Sequence, residues 1–191
     1  MKELQEAIMK WGTVPCDGVV KVDNFLNHRI DSGLMMRMGG SLADAFRAEK
    51  PDLVLTVEAS GIALALAAAV ALGEIPVVFA KKGATLVQNN AVAETKIFSF
   101  TRQQEVAIRV EKAYLPEGSR VLIVDDFLAD GNAVRGMMEL CRQQKCEVCG
   151  IGIAIEKGFQ RGGKYLREQG CNVVSLAIID DISGGRVTIR Q

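Results

Sequence analysis

The sequence predicts an α/β fold: an open, mainly parallel sheet with helices on both faces. Three observations predict it. Apolar, β-branched runs such as "LVLTV" (53–57), "VLIVD" (121–125) and "VCGIGIAI" (148–155) read as strands buried on both sides. Stretches of helical period lie between them, and strand, helix, strand in succession implies parallel pairing through right-handed crossovers. Nearly half of the residues are apolar (49%) and 24% are charged, the balance of a globular chain rather than a disordered one.

Taken in order, "MKELQEAIMKW" sets Leu4, Ala7, Ile8 and Trp11 at helical spacing among charges. "DSGLMMRMGGSLADAFRAEK" predicts a helix with Asp31 as N-cap, apolar positions at Leu34, Met38, Leu42 and Phe46, and a stop before Pro51. Met35, Met36 and Met38 read as helix core or a dimer face. The strand at 53–57 follows, then a buried helix over 62–72 closed by Gly73, then "PVVFA" (76–80) as a strand. Between Ala80 and about Thr95 the pattern fails, and "KKGATLVQNNAVAET" predicts a long mobile loop or loose hairpin of the kind that serves as a lid. Beyond "VLIVD" come a helix from about Asn132 to Lys145, the strand "VCGIGIAI", a short helix near 163–169 and "VVSLAI" (173–178). The tail "DISGGRVTIRQ" reads as a Gly-Gly turn into a final edge strand.

At 191 residues the chain is expected to form a single domain, 1–191. Its 23 basic and 23 acidic side chains cancel, so no global field draws it to nucleic acid or an anionic membrane. No segment has the apolar length of a membrane span, and the start lacks the core of a signal peptide, so a cytoplasmic protein is expected. Cys141, Cys146, Cys149 and Cys171 match an iron–sulfur ligand spacing literally. Cys141 falls on an apolar helical stripe, and Cys146 and Cys149 are three apart beside a strand and so face opposite ways. Buried reduced thiols are expected instead.

"VLIVDDFLADGNA" (121–133) carries the chemistry. Ligands of open α/β sheets sit beyond the carboxyl ends of strands, where Asp125 and Asp126 fall. The small residues after them let several backbone N–H groups converge at a helix start, which suits a phosphate. Two carboxylates would repel a bare phosphate, so the ligand must bring hydroxyls or a cation for them; a phosphorylated ribose brings both. An acidic strand end that merely caps a turn is the structural alternative. A receiver domain is another, with Asp180 as phosphate acceptor, but no lysine follows Asp180 to complete that site.

The same stretch resembles the ribose-phosphate signature of type I phosphoribosyltransferases. "KVDNFLNHRID" (21–31), "VEASGIA" (57–63), "PVVFAKK" (76–82), "FSFT" (98–101) and "GIGIAIEKGFQ" (150–160) resemble the bacterial xanthine branch of that family, in the same order and over nearly the whole chain. The resemblance implies that fold, with a small base-binding hood from N- and C-terminal segments. It implies transfer of 5-phosphoribose from 5-phosphoribosyl 1-pyrophosphate to xanthine, with Mg2+ carried mainly by the pyrophosphate, in a homodimer. By resemblance, Ala129, Asp130, Gly131, Asn132 and Ala133 hold the 5′-phosphate. Asp125 and Asp126 face the ribose and stabilise positive charge on it, though neighbouring strand residues point oppositely and need not both touch the sugar. Glu58, Ala59, Ser60 and Gly61 match the pyrophosphate loop, and Lys81 and Lys82 its basic positions. Asp130 stands where relatives usually carry a neutral residue.

For the base, the resemblance assigns Lys157 and Asn27, a backbone contact at Val20 and stacking on Phe127. An ammonium only donates, so Lys157 favours an oxo group at C6 over adenine's amine. Asn27 can present either end of its amide, which leaves xanthine, guanine and hypoxanthine open on physical grounds. His28 reads as a turn-capping residue. The alternative function is a non-catalytic, purine-repressor-like sensor of the sugar phosphate, which would need a DNA-binding domain ahead of the fold.

Overall fold

The computed structural model describes residues 1–83, 91–99 and 104–191. Ten strands and five α-helices are assigned among them. Helix α1 (Lys2–Trp11) buries Leu4, Ala7 and Ile8, but its fourth apolar position does not follow: Trp11 is exposed and tilted against Phe25, with ring centroids 6.1 Å apart. Strands β1 (Thr13–Cys16) and β2 (Val19–Lys21) form a small hairpin that the sequence does not announce, too short to show a period. A single π turn (Asp23–Asn27) follows and is closed by the backbone N–H of His28 on Asp23 O. The exposed His28 thus closes the turn with its main chain, not its ring.

Helix α2 (Ser32–Phe46) starts where expected, with the Asp31 carboxylate accepting from Leu34 N–H at 2.9 Å. Strand β3 (Leu53–Val57), helix α3 (Gly61–Ala71) and strand β4 (Val77–Lys82) come next. Helix α3 is small and apolar all round, so it can be approached on every side. A side chain at Gly39 of α2 would run into the backbone and Cβ of Ala67, which is why the two helices can touch there. Met35 and Met38 lie in this core and Met36 faces outward.

Where a loop or loose hairpin is expected from Ala80 to Thr95, the described ends of that stretch are strand. Strand β4 runs on to Lys82, and β5 (Val92–Ser99) pairs along its length with β6 (Gln104–Glu111). Residues 84–90 lie outside the described residues, so the expected lid is not tested there. The polar AETK of β5 hid its alternation: Ala93 and Ile97 face the core with Val106, Ile108 and Val110 opposite. Strand β7 (Arg120–Leu128), helix α4 (Asn132–Gln143), strand β8 (Glu147–Lys157), helix α5 (Arg161–Glu168) and strand β9 (Val173–Ser183) complete the α/β run. Gly184 and Gly185, both at positive φ (55° and 73°), turn the chain into β10 (Arg186–Ile189) on the sheet edge, as the Gly-Gly pair predicts.

The sheet order is β10-β9-β8-β7-β3-β4-β6-β5. β4, β3, β7, β8 and β9 are mutually parallel, and antiparallel pairings add β10 at one edge and β6, then β5, at the other. Helices α1, α2 and α3 pack on one face with Val54, Leu122 and Val124; α4 and α5 pack on the other with Val121, Ile123 and Ile151. The fold class is thus the predicted one. Among the described residues, no helix is long and apolar enough to cross a membrane.

Not all thiols are buried as expected. Cys141 and Cys149 are, and burial pushes their thiols up to about 12 and about 11, so both stay protonated. Cys16 is exposed, and Cys146 and Cys171 are half-buried, because each lies at the end of an element rather than within it.

Candidate active site

Strands β3 and β7 lie side by side with their carboxyl ends together. The chain leaves β3 toward β4 and returns across it to β7, so the strand order reverses here, where ligand crevices open in doubly wound sheets. A cavity of about 190 Å3 occupies the crevice, lined by Glu58, Ser60, Lys82, Ile97, Phe98 and residues 125–134.

Strand β7 runs on to Leu128, so both aspartates lie within it rather than at its end, and both are buried. Asp125 Oδ1 accepts the Asp126 N–H at 3.0 Å. Burial pushes the Asp125 carboxyl well above the usual carboxylate range, and the neighbouring Asp126 charge pushes it the same way. Gly61 is required beside it, since a Cβ there would strike Thr56 Oγ1 and come within 2.9 Å of Asp125 Oδ1. Asp126 turns instead to the N-terminal segment, where its Oδ2 accepts from Asn27 Nδ2 at 3.3 Å. The two acids therefore serve different surroundings.

The loop 129–133 uses its carbonyls within the protein and leaves its amides open. Gly162 N–H donates to Ala129 O at 3.1 Å and Arg135 N–H to Gly131 O at 2.9 Å. Among the described residues, no N–H of 130–133 donates to a protein acceptor. Gly131, at φ 80°, makes the left-handed turn that starts α4. Open amides at a helix start suit a tetrahedral oxyanion. Asn132 Oδ1 accepts from Arg135 (2.5 Å), and Ala133 packs against the core beside the cavity.

Glu58 N–H donates to Ala80 O, and Glu58 Oε1 accepts from Lys82 N–H at 2.5 Å, which ties the β3 turn to β4. The Glu58–Ala59 peptide is cis, Ala59 O accepts from Ile62 N–H, and Ser60 faces the cavity. Lys81 and Lys82 part company. Lys82 lines this cavity, whereas Lys81 lines a separate groove of about 770 Å3 with Phe79, Arg109 and Tyr114. Adjacent strand residues alternate in direction, which separates the two ammonium groups between these cavities.

The base-side candidates come from distant segments. Lys157, at the end of β8, is half-buried and donates to Gly18 O in the β1–β2 turn at 2.9 Å. Burial lowers its pKa, partly offset by the nearby Asp130 carboxylate. Val20 is buried on β2 and Phe127 packs against the same apolar cluster. Asn27 Oδ1 is buried with no partner.

Several residues here carry no mark in the sequence that singles them out. Gly162 abuts the phosphate-type loop: a Cβ there would strike Ala129 O and sit 2.6 Å from Gly131 N. Its helix is held by Glu156, which is buried yet kept ionised by paired bonds to Arg167 (2.7 Å each) and one from Ser175 (2.5 Å). The small pair in "RGGKY" is the one available signal. Ile97 and Phe98 reach the cavity from β5, and nothing local marks them. Asp180, the acceptor of the receiver alternative, is bound to Arg190 (2.5–3.2 Å).

Residues 29–187 match the phosphoribosyl transferase domain. Among curated relatives, the xanthine phosphoribosyltransferase of Bifidobacterium adolescentis is 48% identical over 190 residues, covering 100% of this chain and 98% of that protein. That of Geobacillus thermodenitrificans is 48% identical (100% and 98% covered), and that of Clostridioides difficile 42% (100% and 100%). Among solved structures, the adenine phosphoribosyltransferase of Thermoanaerobacter pseudethanolicus superposes with a TM-score of 0.73 at 24% identity, covering 92% of this chain and 98% of that one. The Trypanosoma brucei adenine phosphoribosyltransferase, in complex with AMP, pyrophosphate and ribose-5-phosphate, gives 0.75 at 16% (92% and 78%). These structural likenesses are of fold. With the domain match and full-length relatives near half identity, the chain belongs to the phosphoribosyltransferase family.

Proposed function

We propose that the protein transfers 5-phosphoribose from 5-phosphoribosyl 1-pyrophosphate to xanthine, giving xanthosine 5′-monophosphate and pyrophosphate. The observation that carries this reading is the crevice at the β3–β7 switch point, where open amides of 130–133, a buried acidic pair and Lys82 line one cavity. Curated relatives named for xanthine, at 42–48% identity, support the choice of base. The sensor alternative has no comparable support.

In this reading the 130–133 amides hold the 5′-phosphate. About three charge-assisted hydrogen bonds at roughly 1.5–3 kcal/mol each approach the roughly 8 kcal/mol of a micromolar site. Asp126 accepts from the ribose hydroxyls and stabilises positive charge growing at C1′ as its bond to pyrophosphate breaks. Asp125, whose burial favours the protonated form, sets the Asp126 backbone. Lys82 and the Ser60–Gly61 helix start take charge from the departing pyrophosphate. The base nitrogen N9 closes on C1′, the ring N–H proton passing to water, while Lys157 donates to O6 in place of Gly18 O.

Mg2+ fits this donor set as a pyrophosphate-borne ion. Among the described residues, no three acidic, His or Cys side chains form a cage for it, and a hard cation keeps water and phosphate oxygens. When bound it would neutralise the leaving group, and Asp126 is the acid of this cavity that would hold it through water. A homodimer in the cytoplasm belongs to the same proposal, and sedimentation equilibrium checks the dimer.

Purified protein with 5-phosphoribosyl 1-pyrophosphate and Mg2+ should consume xanthine faster than guanine, hypoxanthine or adenine, read by nucleotide formation. Binding of the sugar phosphate without turnover of any purine would favour the sensor. Fastest turnover of adenine would remove the Lys157 argument.

A further inference from the structure

Helix α5 supplies no residue to the lining of the crevice, yet it holds the loop behind it. A trans peptide is planar and points its C=O and its N–H in opposite directions. Gly162 N–H, in the first turn of α5, donates to Ala129 O at 3.1 Å, which fixes the plane of the Ala129–Asp130 peptide and with it the direction of the Asp130 N–H. The Gly131–Asn132 peptide is fixed differently, because Gly131 O accepts from Arg135 N–H within α4. One amide of the loop is thus aimed by its own helix and another from α5.

Apolar burial does little to hold α5 in that place. The helix is 8 residues long and buries Gly162, Gly163 and Leu166. Its tether is ionic. Arg167 donates two bonds of 2.7 Å to Glu156 at the end of β8, and Ser175 of β9 donates a third at 2.5 Å. The Glu156 side chain is only 4% exposed, and Gly163 lets the helix close on it, since a Cβ there would strike the carboxylate. A buried ion pair is a weak source of net stability beside an apolar pair of similar volume. What its two-pronged geometry adds is direction.

We infer that Glu156 and Arg167 are positioning residues for the phosphate loop: the pair clamps α5 so that Gly162 N–H turns the Asp130 amide into the crevice, and affinity for a 5′-phosphate depends on that clamp. The inference rests on the phosphoribosyl transfer proposed above and adds a control point outside the crevice. Neighbouring strand residues alternate in direction, so the end of β8 supports the base through Lys157 and the phosphate loop through Glu156.

The test measures binding of ribose 5-phosphate and of magnesium pyrophosphate by calorimetry, with thermal unfolding alongside. In Arg167→Met the dissociation constant for ribose 5-phosphate should rise about tenfold, the scale of one lost charged hydrogen bond, while pyrophosphate binding is unchanged. Arg167→Lys, which keeps the charge and one prong, should fall between. Glu156→Met combined with Arg167→Leu should show the same split even where its melting temperature matches the wild type, an outcome that a merely structural pair would not give. Should these variants not fold, wild-type protein still decides. A phosphate that accepts from Asp130 N–H strengthens the bond to the carbonyl of the same peptide, so ribose 5-phosphate should slow hydrogen exchange at the Gly162 amide and pyrophosphate should not. Equal loss of both ligands, loss of neither, or Gly162 exchange indifferent to ribose 5-phosphate overturns the inference alone. No binding of ribose 5-phosphate by the wild type overturns the functional proposal with it.

Discussion

The sugar-phosphate side and the base side of the crevice are built in opposite ways. The first is nearly continuous: residues 125–134 run from strand β7 through a turn into helix α4, and backbone amides do much of the work. The second is assembled from Gly18 and Val20 on a short hairpin, Asn27 on a π turn, Phe127 on β7 and Lys157 on β8. A contiguous motif carries its own geometry, because strand, turn and helix start fix the directions of successive N–H groups. An assembled one depends on how separate elements pack. Loss of one side chain on the base side should therefore damage that side alone, while damage on the phosphate side should spread to every substrate.

Exchanging the two lysines gives the largest test of that contrast. Lys82 lines the cavity and Lys81 the opposite groove. Lys82→Ala is expected to lower kcat/KM for 5-phosphoribosyl 1-pyrophosphate about 10²-fold, the scale of one lost charge-stabilising donor. Lys81→Ala should stay within a few fold, and equal losses in steady-state kinetics would refute the separation.

A smaller effect is expected from Lys157→Ala. Its loss should weaken base binding by roughly 1.5–3 kcal/mol, the range for a charged hydrogen bond, and leave sugar-phosphate binding nearly unchanged. Calorimetry with each substrate separately checks this, and parallel loss of both would mean that the two sides are one coupled unit.

The smallest expected change is in stability. Asp125 binds its proton more tightly folded than unfolded, because burial and the Asp126 charge disfavour its carboxylate. The folded state then holds more protons than the unfolded one at pH values between the unfolded and the raised folded pKa. Stability accordingly falls as pH rises through that window and is fully present below it. Asp125→Asn keeps the acceptor for Asp126 N–H and removes the cost. It should raise stability at neutral pH by roughly 0.5–2 kcal/mol and flatten the pH dependence of thermal unfolding. A lower melting temperature at neutral pH would show that the ionised form is the one the fold supports.

Much of the fold is legible in the residues alone. The apolar runs of β7 and β8, the Asp31 cap and the Gly184–Gly185 turn are local, and each lies where the residues put it. The phosphate-type loop is local too. Strands β5 and β6 are not legible in this way, since polar residues on β5 mask a period that becomes clear only beside its partner. Trp11 stands on the right stripe, yet a neighbouring turn meets it at the surface rather than in the core.

By itself the sequence determined the fold class and the anion-ready turn, because these follow from periods and small residues along one stretch of chain, while the base-site residues came from resemblance to a family. Tertiary structure alone decided that Lys81 and Lys82 line different cavities, that Gly162 abuts the loop, and that Asn27 donates to Asp126. Orientation of a side chain depends on what packs against it, and at this site those neighbours lie up to 139 positions away in the chain.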